Sequence, residues 1–149
     1  MTMRRSIHIE APVESVFDTI MDTYKDPEKY RDLSPGGDIQ YDDTKATKDG
    51  VGTYMSWHAK IAGLPMRGFD VVTDATPPSH ISERSSNAIV GRWDCEIEPE
   101  GSGTKLTFVH EPDSFWRLPL LHHVVDLATD RMSDRYLSNL KQRIETERG

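Results

Sequence analysis

The sequence lacks any long apolar run, and the longest is Ala88-Ile89-Val90 in a chain of 149 residues. A membrane-spanning helix needs about 20 apolar residues and the apolar part of a secretory signal about 7, so we expect neither. Cysteine is nearly absent too. The single Cys95 excludes a disulfide within the chain, and the cytoplasm is the expected compartment.

Positive charge is also scarce. Eighteen Lys and Arg residues stand against 25 Asp and Glu, which gives a net charge of -7. Proteins that bind nucleic acid usually show the opposite balance, so we expect no nucleic-acid partner. The mean hydropathy of -0.62 indicates a soluble protein.

Motifs for metals and cofactors are missing as well. The adjacent residues His122 and His123 would point about 100° apart on a helix, which does not suit one ion, and no paired-cysteine spacing accompanies them. The Gly101-Ser102-Gly103-Thr104 segment has no phosphate-loop lysine and leads into a strand, so it is read as a hairpin turn. We therefore predict no metal and no cofactor.

The hydropathy pattern changes period twice along the chain. Residues 6–10 alternate as a half-buried strand, and 13–21 then carry apolar residues at helical spacing. A second short helix is predicted from Asp26 to about Leu33. From 38 to 112 short alternating segments and tight turns predict an antiparallel sheet, and 119–148 reads as one long helix.

This order predicts an α+β domain spanning residues 1–149, with no linker inside it. About seven strands form a curved antiparallel sheet, and two short helices follow the first strand. The apolar face of such a sheet must be covered, and only the last helix is long enough to cover it. A strongly curved sheet around one helix leaves a gap that side chains do not fill, and we expect a ligand cavity there.

Several segments resemble the START/Bet v 1-like (SRPBCC) superfamily, most closely its polyketide cyclase/dehydrase branch. The strand, Ala-Pro and Val-Phe helix of residues 7–17 are similar to the superfamily's opening. The segment 101–108 resembles its Gly-rich turn and final strand, and 71–74 followed by Pro77-Pro78 resembles its middle hairpin. The resemblance implies a helix-grip fold with an apolar cavity beneath the long helix, and it implies no universal catalytic motif.

Strand alternation assigns nine residues to the cavity wall. In this assignment Ala59 pairs with Phe69, and Trp57 pairs with Val71, which keeps the apolar faces together. Each residue alone could be ordinary core, but as a set they suit a planar hydrophobic ligand. The nine predicted ligand-binding residues are Tyr41, Met55, Trp57, Phe69, Val71, Trp93, Phe108, Leu121 and Val125.

Two polar residues fall in phase with this apolar face, Glu83 with Ile81 and His110 with Phe108. Buried carboxylates are rare unless they are paired or functional. We predict that Glu83 and His110 form a polar spot that orients a ligand hydroxyl or carbonyl, and in an enzyme they would be the catalytic residues that move protons. The alternative is a Glu–Arg pair at a strand edge and a solvated histidine.

The sequence therefore predicts binding of a small hydrophobic molecule, without stable membrane insertion, by a monomer or homodimer. Two functions remain open. One is an enzyme of the polyketide cyclase/dehydrase kind, and the other is a carrier or sensor that binds without chemistry. A protein–protein interaction module, as in the superfamily's chaperone-activating members, is a third and weaker alternative.

Overall fold

The computed structural model describes residues 3–26, 29–30, 33, 39–61, 63–87, 90–113 and 119–148, without the side chains of 61, 119–126, 128–129 and 148. Within these ranges the chain forms seven strands and two helices. In chain order they are β1 (Met3–Ile9), α1 (Val13–Lys25), β2 (Gln40–Lys45), β3 (Tyr54–Ile61), β4 (Leu64–Thr76), β5 (His80–Ser85), β6 (Arg92–Glu100), β7 (Gly103–Glu111) and α2 (Pro119–Arg148).

All seven strands belong to one antiparallel sheet with the order β1-β7-β6-β5-β4-β3-β2. Each strand from β2 to β7 pairs with its neighbour in sequence, as short turns allow. Only β1 pairs with a distant strand, β7, at the far end of the chain. With α2 against the sheet, this arrangement confirms the predicted α+β helix-grip fold.

The second predicted helix falls largely outside the described residues, because 27, 28, 31 and 32 are among those omitted. The predicted cap at Asp26 is visible, since its carboxylate accepts a hydrogen bond from the Lys29 backbone N–H at 3.3 Å. The backbone N–H of Leu33 donates to the Tyr30 carbonyl at 2.9 Å, and Leu33 is buried.

The predicted register of the β3–β4 hairpin is wrong. Trp57 pairs with Gly68 and Ala59 with Met66, instead of with Val71 and Phe69. The cause is the turn, in which Ile61 pairs with Leu64 and Gly63 takes a φ of +79° that glycine adopts without strain. A shift by an odd number of residues exchanges the two faces of a strand, so Gly68 replaces Phe69 on the inner face.

The core lies between the sheet and the two helices. Helix α1 buries Val16, Phe17, Ile20 and Met21, the face that its periodicity predicts. The last turns of α2 bury Leu137, Leu140 and Ile144. Helix α2 contacts β1, and α1 contacts β6 and β7. In the described part of the chain, no helix is long and apolar enough to cross a membrane.

Candidate functional site

A cavity lies between the inner face of the sheet and the helices. Its volume is about 70 Å³, counted as the space open to the centres of water-sized spheres. One water needs roughly 10–15 Å³ on this measure, so the space exceeds that of a single water several times. The described lining residues are Thr23, Tyr24, Tyr30, Leu33, Ile39, Tyr41, Met55, Trp57, Asp70, Glu83, Val90, Trp93, Phe108, Met132 and Tyr136.

The charges in this lining are of one sign. Asp70 and Glu83 carry carboxyl groups, and the described lining contains no Lys, Arg or His. The other lining residues are mainly aliphatic and aromatic, with four tyrosines among them. The cavity is thus an apolar container around one acidic centre.

The acidic centre is built by two neighbouring strands. Asp70 pairs with Ser85 and Val72 pairs with Glu83, so Asp70 and Glu83 are diagonal neighbours on the inner face. Diagonal neighbours lie about 7–8 Å apart at the backbone, within reach of side chains this long. The two carboxyl groups are close enough for each to affect the pKa of the other.

Burial raises the pKa of both carboxyl groups. The pKa of Glu83 is raised well above its ordinary value by burial and then by the nearby charge of Asp70. Burial likewise raises the pKa of Asp70, while the neighbouring polar groups of Ser85, Trp57 and Glu83 hold it down in part. Two carboxylates in contact resist ionising together, so the pair keeps one proton above the pH at which an ordinary glutamate loses it.

Tyr24 supports this centre from the opposite side. The side chain lies on α1, one turn beyond Ile20 and Met21, and its hydroxyl is near enough to the Glu83 carboxyl to affect the pKa of that group. This interaction lowers the pKa of Glu83 against the effect of burial. Burial also raises the pKa of the phenols of Tyr24 and Tyr136, so both tyrosines keep their protons and can act as donors.

Two buried polar atoms beside the acidic centre lack a partner among the described residues, Trp57 Nε1 and Asp70 Oδ1. The indole N–H lies near enough to Asp70 to lower the pKa of that carboxyl, but the two atoms do not reach hydrogen-bonding geometry. More than nine in ten buried polar groups have a partner in proteins, so an orphaned donor and acceptor on one cavity wall require an explanation.

The structure places six of the sequence-predicted site residues in the cavity lining. They are Tyr41, Met55, Trp57, Glu83, Trp93 and Phe108. They lie on β2, β3, β5, β6 and β7, at positions that strand alternation assigns to the inner face. Their contact with a ligand stays a prediction.

Two predicted lining residues, Phe69 and Val71, lie on the outer face of β4 instead. Phe69 is 46% exposed, and its ring packs against Tyr54 at 5.4 Å between centroids. Val71 pairs with Tyr54 and with Arg84. Both errors follow from the register of the β3–β4 hairpin, because the inner positions of β4 are Gly68, Asp70 and Val72. The side chains of Leu121 and Val125, on α2, lie outside the described residues.

His110 is buried, but the structure does not bring it into contact with Glu83. In the register Trp93 stands between them, paired with Glu83 on one side and with His110 on the other. The rings of Trp93 and His110 stack at 4.2 Å between centroids, and His110 Nε2 donates to the Val90 carbonyl at 2.6 Å. The predicted polar spot is therefore centred on Glu83 and Asp70, and His110 positions Trp93 and Val90 in the wall.

Cys95 is buried, and burial raises the pKa of its thiol, which disfavours the reactive thiolate. Among the described residues no group of three His, Cys, Asp or Glu side chains is placed to hold a metal ion.

Sequence reasoning missed Asp70 and Tyr24. Asp70 follows from the turn: a two-residue connection through Gly63 fixes the register and turns Asp70 inward. In the structure a Cβ at position 68 would lie 3.1 Å from the Asn87 Cβ and 3.2 Å from the Trp57 indole, so the glycine fits beside the tryptophan. Tyr24 continues the helical spacing of Phe17, Ile20 and Met21 by one more turn.

A seven-stranded antiparallel sheet gripping a long C-terminal helix, with a cavity between them, defines the helix-grip class of START/Bet v 1-like proteins. The family model for polyketide cyclase/dehydrase and lipid transport proteins matches residues 1–145, and the chain belongs to this family. The predicted resemblance is thus confirmed. A comparison with curated proteins finds no match.

Solved structures show the same fold at low sequence identity. TTHA0849 from Thermus thermophilus is 19% identical with a TM-score of 0.77, and the match covers 100% of this chain and 100% of that chain. The Aha1 dimer from Colwellia psychrerythraea is 15% identical with a TM-score of 0.62, covering 100% of this chain and 99% of that one. Ara h 8.0201 is 12% identical with a TM-score of 0.66, covering 98% of each chain.

Proposed function

We propose that the chain is a single ligand-binding domain, residues 1–149, which holds a small, largely apolar molecule in the cavity. The observation that carries this proposal is the Asp70–Glu83 pair, in which Glu83 is buried and Asp70 half-buried, in a mainly aliphatic and aromatic lining. Burying carboxyl groups costs free energy that a structural core avoids, and such groups cluster at functional sites. The family to which the chain belongs supports the same function.

The direct test is to fill the cavity. N-phenyl-1-naphthylamine is an uncharged dye that fluoresces strongly in apolar pockets, and we expect the native protein to bind it. Met55→Trp adds a large ring to the lining and should weaken dye binding at least about tenfold, since an overfilled core leaves no space. Phe69→Trp makes a similar change on the outer face and should leave dye affinity within about twofold.

Thermal denaturation of both variants shows whether they fold. If Met55→Trp does not fold, Tyr41→Trp places the added bulk elsewhere in the lining and takes its place. The proposal is contradicted if the native protein binds no dye, or if a folded cavity variant binds it as tightly as Phe69→Trp does.

A second candidate function, catalysis by proton transfer, is favoured by the shared proton of the pair. Glu83 carries a proton that it can give to a ligand carbonyl oxygen, and the Asp70 carboxylate can take one from the adjacent carbon. The products are the enol, a protonated Asp70 and an ionised Glu83, and reversal restores the pair. Such enolisation is the elementary step of cyclisation and dehydration of polyketones.

Exchange of hydrogen for deuterium separates the enzyme from a carrier. The probe is 2-tetralone in D₂O, and NMR follows loss of the protons next to its carbonyl. An enzyme accelerates this exchange, and Glu83→Gln abolishes the acceleration while dye binding remains. A carrier binds the ketone and gives the same exchange rate as buffer. The roles of Glu83 and His110 as catalytic residues stay predictions until this is measured.

Partners and location are proposed from composition. With a net charge of -7 we propose a small hydrophobic molecule as the partner, and no nucleic acid. We propose a monomer or homodimer in the cytoplasm, where the lone, buried Cys95 stays reduced.

A further inference from the structure

The residues that carry the two orphaned atoms line the same cavity from adjacent strands. Met55 pairs with Asp70 and Trp57 pairs with Gly68, so Trp57 and Asp70 are diagonal neighbours on the inner face. Both residues belong to the lining, and Trp57 is only 2% exposed. One atom, Trp57 Nε1, can only donate a hydrogen bond, and the other, Asp70 Oδ1, accepts one.

A ligand group that serves both atoms must donate and accept within a short distance. A hydroxyl group does so through one oxygen, which accepts from Trp57 Nε1 and donates to Asp70 Oδ1. A carboxylate brings acceptors only and adds a negative charge beside Asp70 and Glu83. An ammonium brings donors only and leaves the indole N–H without a partner. A hydrocarbon leaves both atoms orphaned.

We propose that Trp57 and Asp70 are the specificity-determining residues of the cavity, and that they select an uncharged apolar ligand through its hydroxyl group. This inference rests on the proposed function, since it names the ligand class of the same cavity. The rest of the lining agrees with it. The described lining residues include no Lys, Arg or His that would neutralise an acidic ligand.

Three aromatic probes of one shape test the proposal, namely naphthalene, 2-naphthol and 2-naphthoate at neutral pH. Equilibrium dialysis gives a dissociation constant for each. Two new hydrogen bonds to buried partners should make 2-naphthol bind about tenfold or more tightly than naphthalene. For 2-naphthoate we expect binding at least about tenfold weaker than for 2-naphthol, because of the buried acidic pair.

Each result separates the inference from the proposed function. If naphthalene and 2-naphthol bind equally, or if 2-naphthoate binds most tightly, the proposed role of Trp57 and Asp70 in selectivity is wrong. The cavity remains a binding site in either case. If no probe binds and N-phenyl-1-naphthylamine also fails to bind, the proposed function itself is wrong.

A matched pair of variants on β3 assigns the effect. Trp57→Phe removes the orphaned donor, and we expect the preference for 2-naphthol over naphthalene to fall to about threefold or less. Tyr54→Phe removes a polar hydrogen from the same strand, but Tyr54 packs against Phe69 on the outer face and is not part of the described cavity lining. Its preference should stay about tenfold, and equal losses in both variants would overturn the assignment.

Discussion

The space between sheet and α2 has a packed region and a hollow region, only two helical turns apart. Leu140 and Ile144 belong to the same buried core as Ile9 and Leu106, and Leu140 is fully buried. Earlier on the same helix, Met132 and Tyr136 line the cavity instead. One sheet and one helix thus supply both a close-packed core and a site. The hollow region differs in its lining, which combines aromatic side chains with the carboxyl groups of Asp70 and Glu83.

The largest effect is expected in the packed region, from Leu140→Ala. Removing a fully buried leucine side chain should lower the free energy of unfolding by about 2–5 kcal/mol, because it leaves a cavity that the core does not refill. Urea denaturation measures this change. Leu127→Ala is the matched control on the same helix, and since Leu127 is 54% exposed its effect should stay within about 0.5 kcal/mol. Equal losses of unfolding free energy in the two variants would contradict the close packing of Leu140.

In the hollow region, Glu83→Gln should change how stability depends on pH. The raised pKa of Glu83 means that the folded state holds a proton that the unfolded state loses above its ordinary pKa of 4.5. The stability that this group contributes is therefore fully present below pH 4.5 and is lost as pH rises toward the folded pKa. The loss is at most about 1.4 kcal/mol for each pH unit in that window.

Glutamine has no proton to lose, so Glu83→Gln should gain stability relative to the native protein as pH rises above 4.5. Urea denaturation across this pH range measures the difference between the two proteins. Glu98→Gln changes an exposed glutamate on β6 and should leave the native pH dependence unaltered. If the stability of the native protein and that of Glu83→Gln change with pH in the same way, the raised pKa of Glu83 is contradicted.

The smallest effect is expected at His8, on the exposed surface near the packed region. Its ring nitrogens contact Glu100 at 2.7 Å and Glu10 at 2.5 Å, and these carboxylates raise the pKa of His8 above 6.5. The pKa of Glu83 rises because burial disfavours its charge, whereas that of His8 rises because its charge is paired. Stability from His8 is present below pH 6.5 and fades as pH rises through the folded pKa.

NMR titration of the His8 ring protons tests this contrast. Glu10→Gln removes the carboxylate that raises the pKa of His8 most, so this pKa should fall toward 6.5. Glu14→Gln, an exposed change on α1, should leave the titration where it is. A native His8 that titrates at or below 6.5 would show that the two carboxylates do not pair with it.

The sequence predicts the packed region better than the hollow one. Alternation and helical periodicity locate Leu106 and Leu140 in the core, because both patterns place apolar side chains on the buried face of a strand or helix. The same reasoning misplaces Phe69 and overlooks Asp70, because it assigns the apolar residues of β4 to the inner face of the sheet. The turn between β3 and β4 fixes a different register, which places the Asp70 carboxyl group on the inner face. A binding site departs from the pattern that builds a core, so pattern reasoning is weakest there.

Glu83 shows how far sequence reasoning reaches. Its phase with Ile81 predicts its place on the inner face, and the structure has both residues buried. Its partners depend on side chains from β4 and α1, which come together only in the folded chain. The sequence therefore points to the buried acid, but pairs it with His110 instead of Asp70 and Tyr24.

The central claim is that Asp70 and Glu83 share a proton inside a ligand cavity, and carboxyl ¹³C NMR tests it most directly. In the ligand-free protein, the side-chain carboxyl signal of Glu83 should titrate well above 4.5, and adding 2-naphthol should shift the Asp70 signal. If both carboxyl groups titrate near the ordinary values for exposed residues and neither responds to any neutral aromatic probe, the account is contradicted.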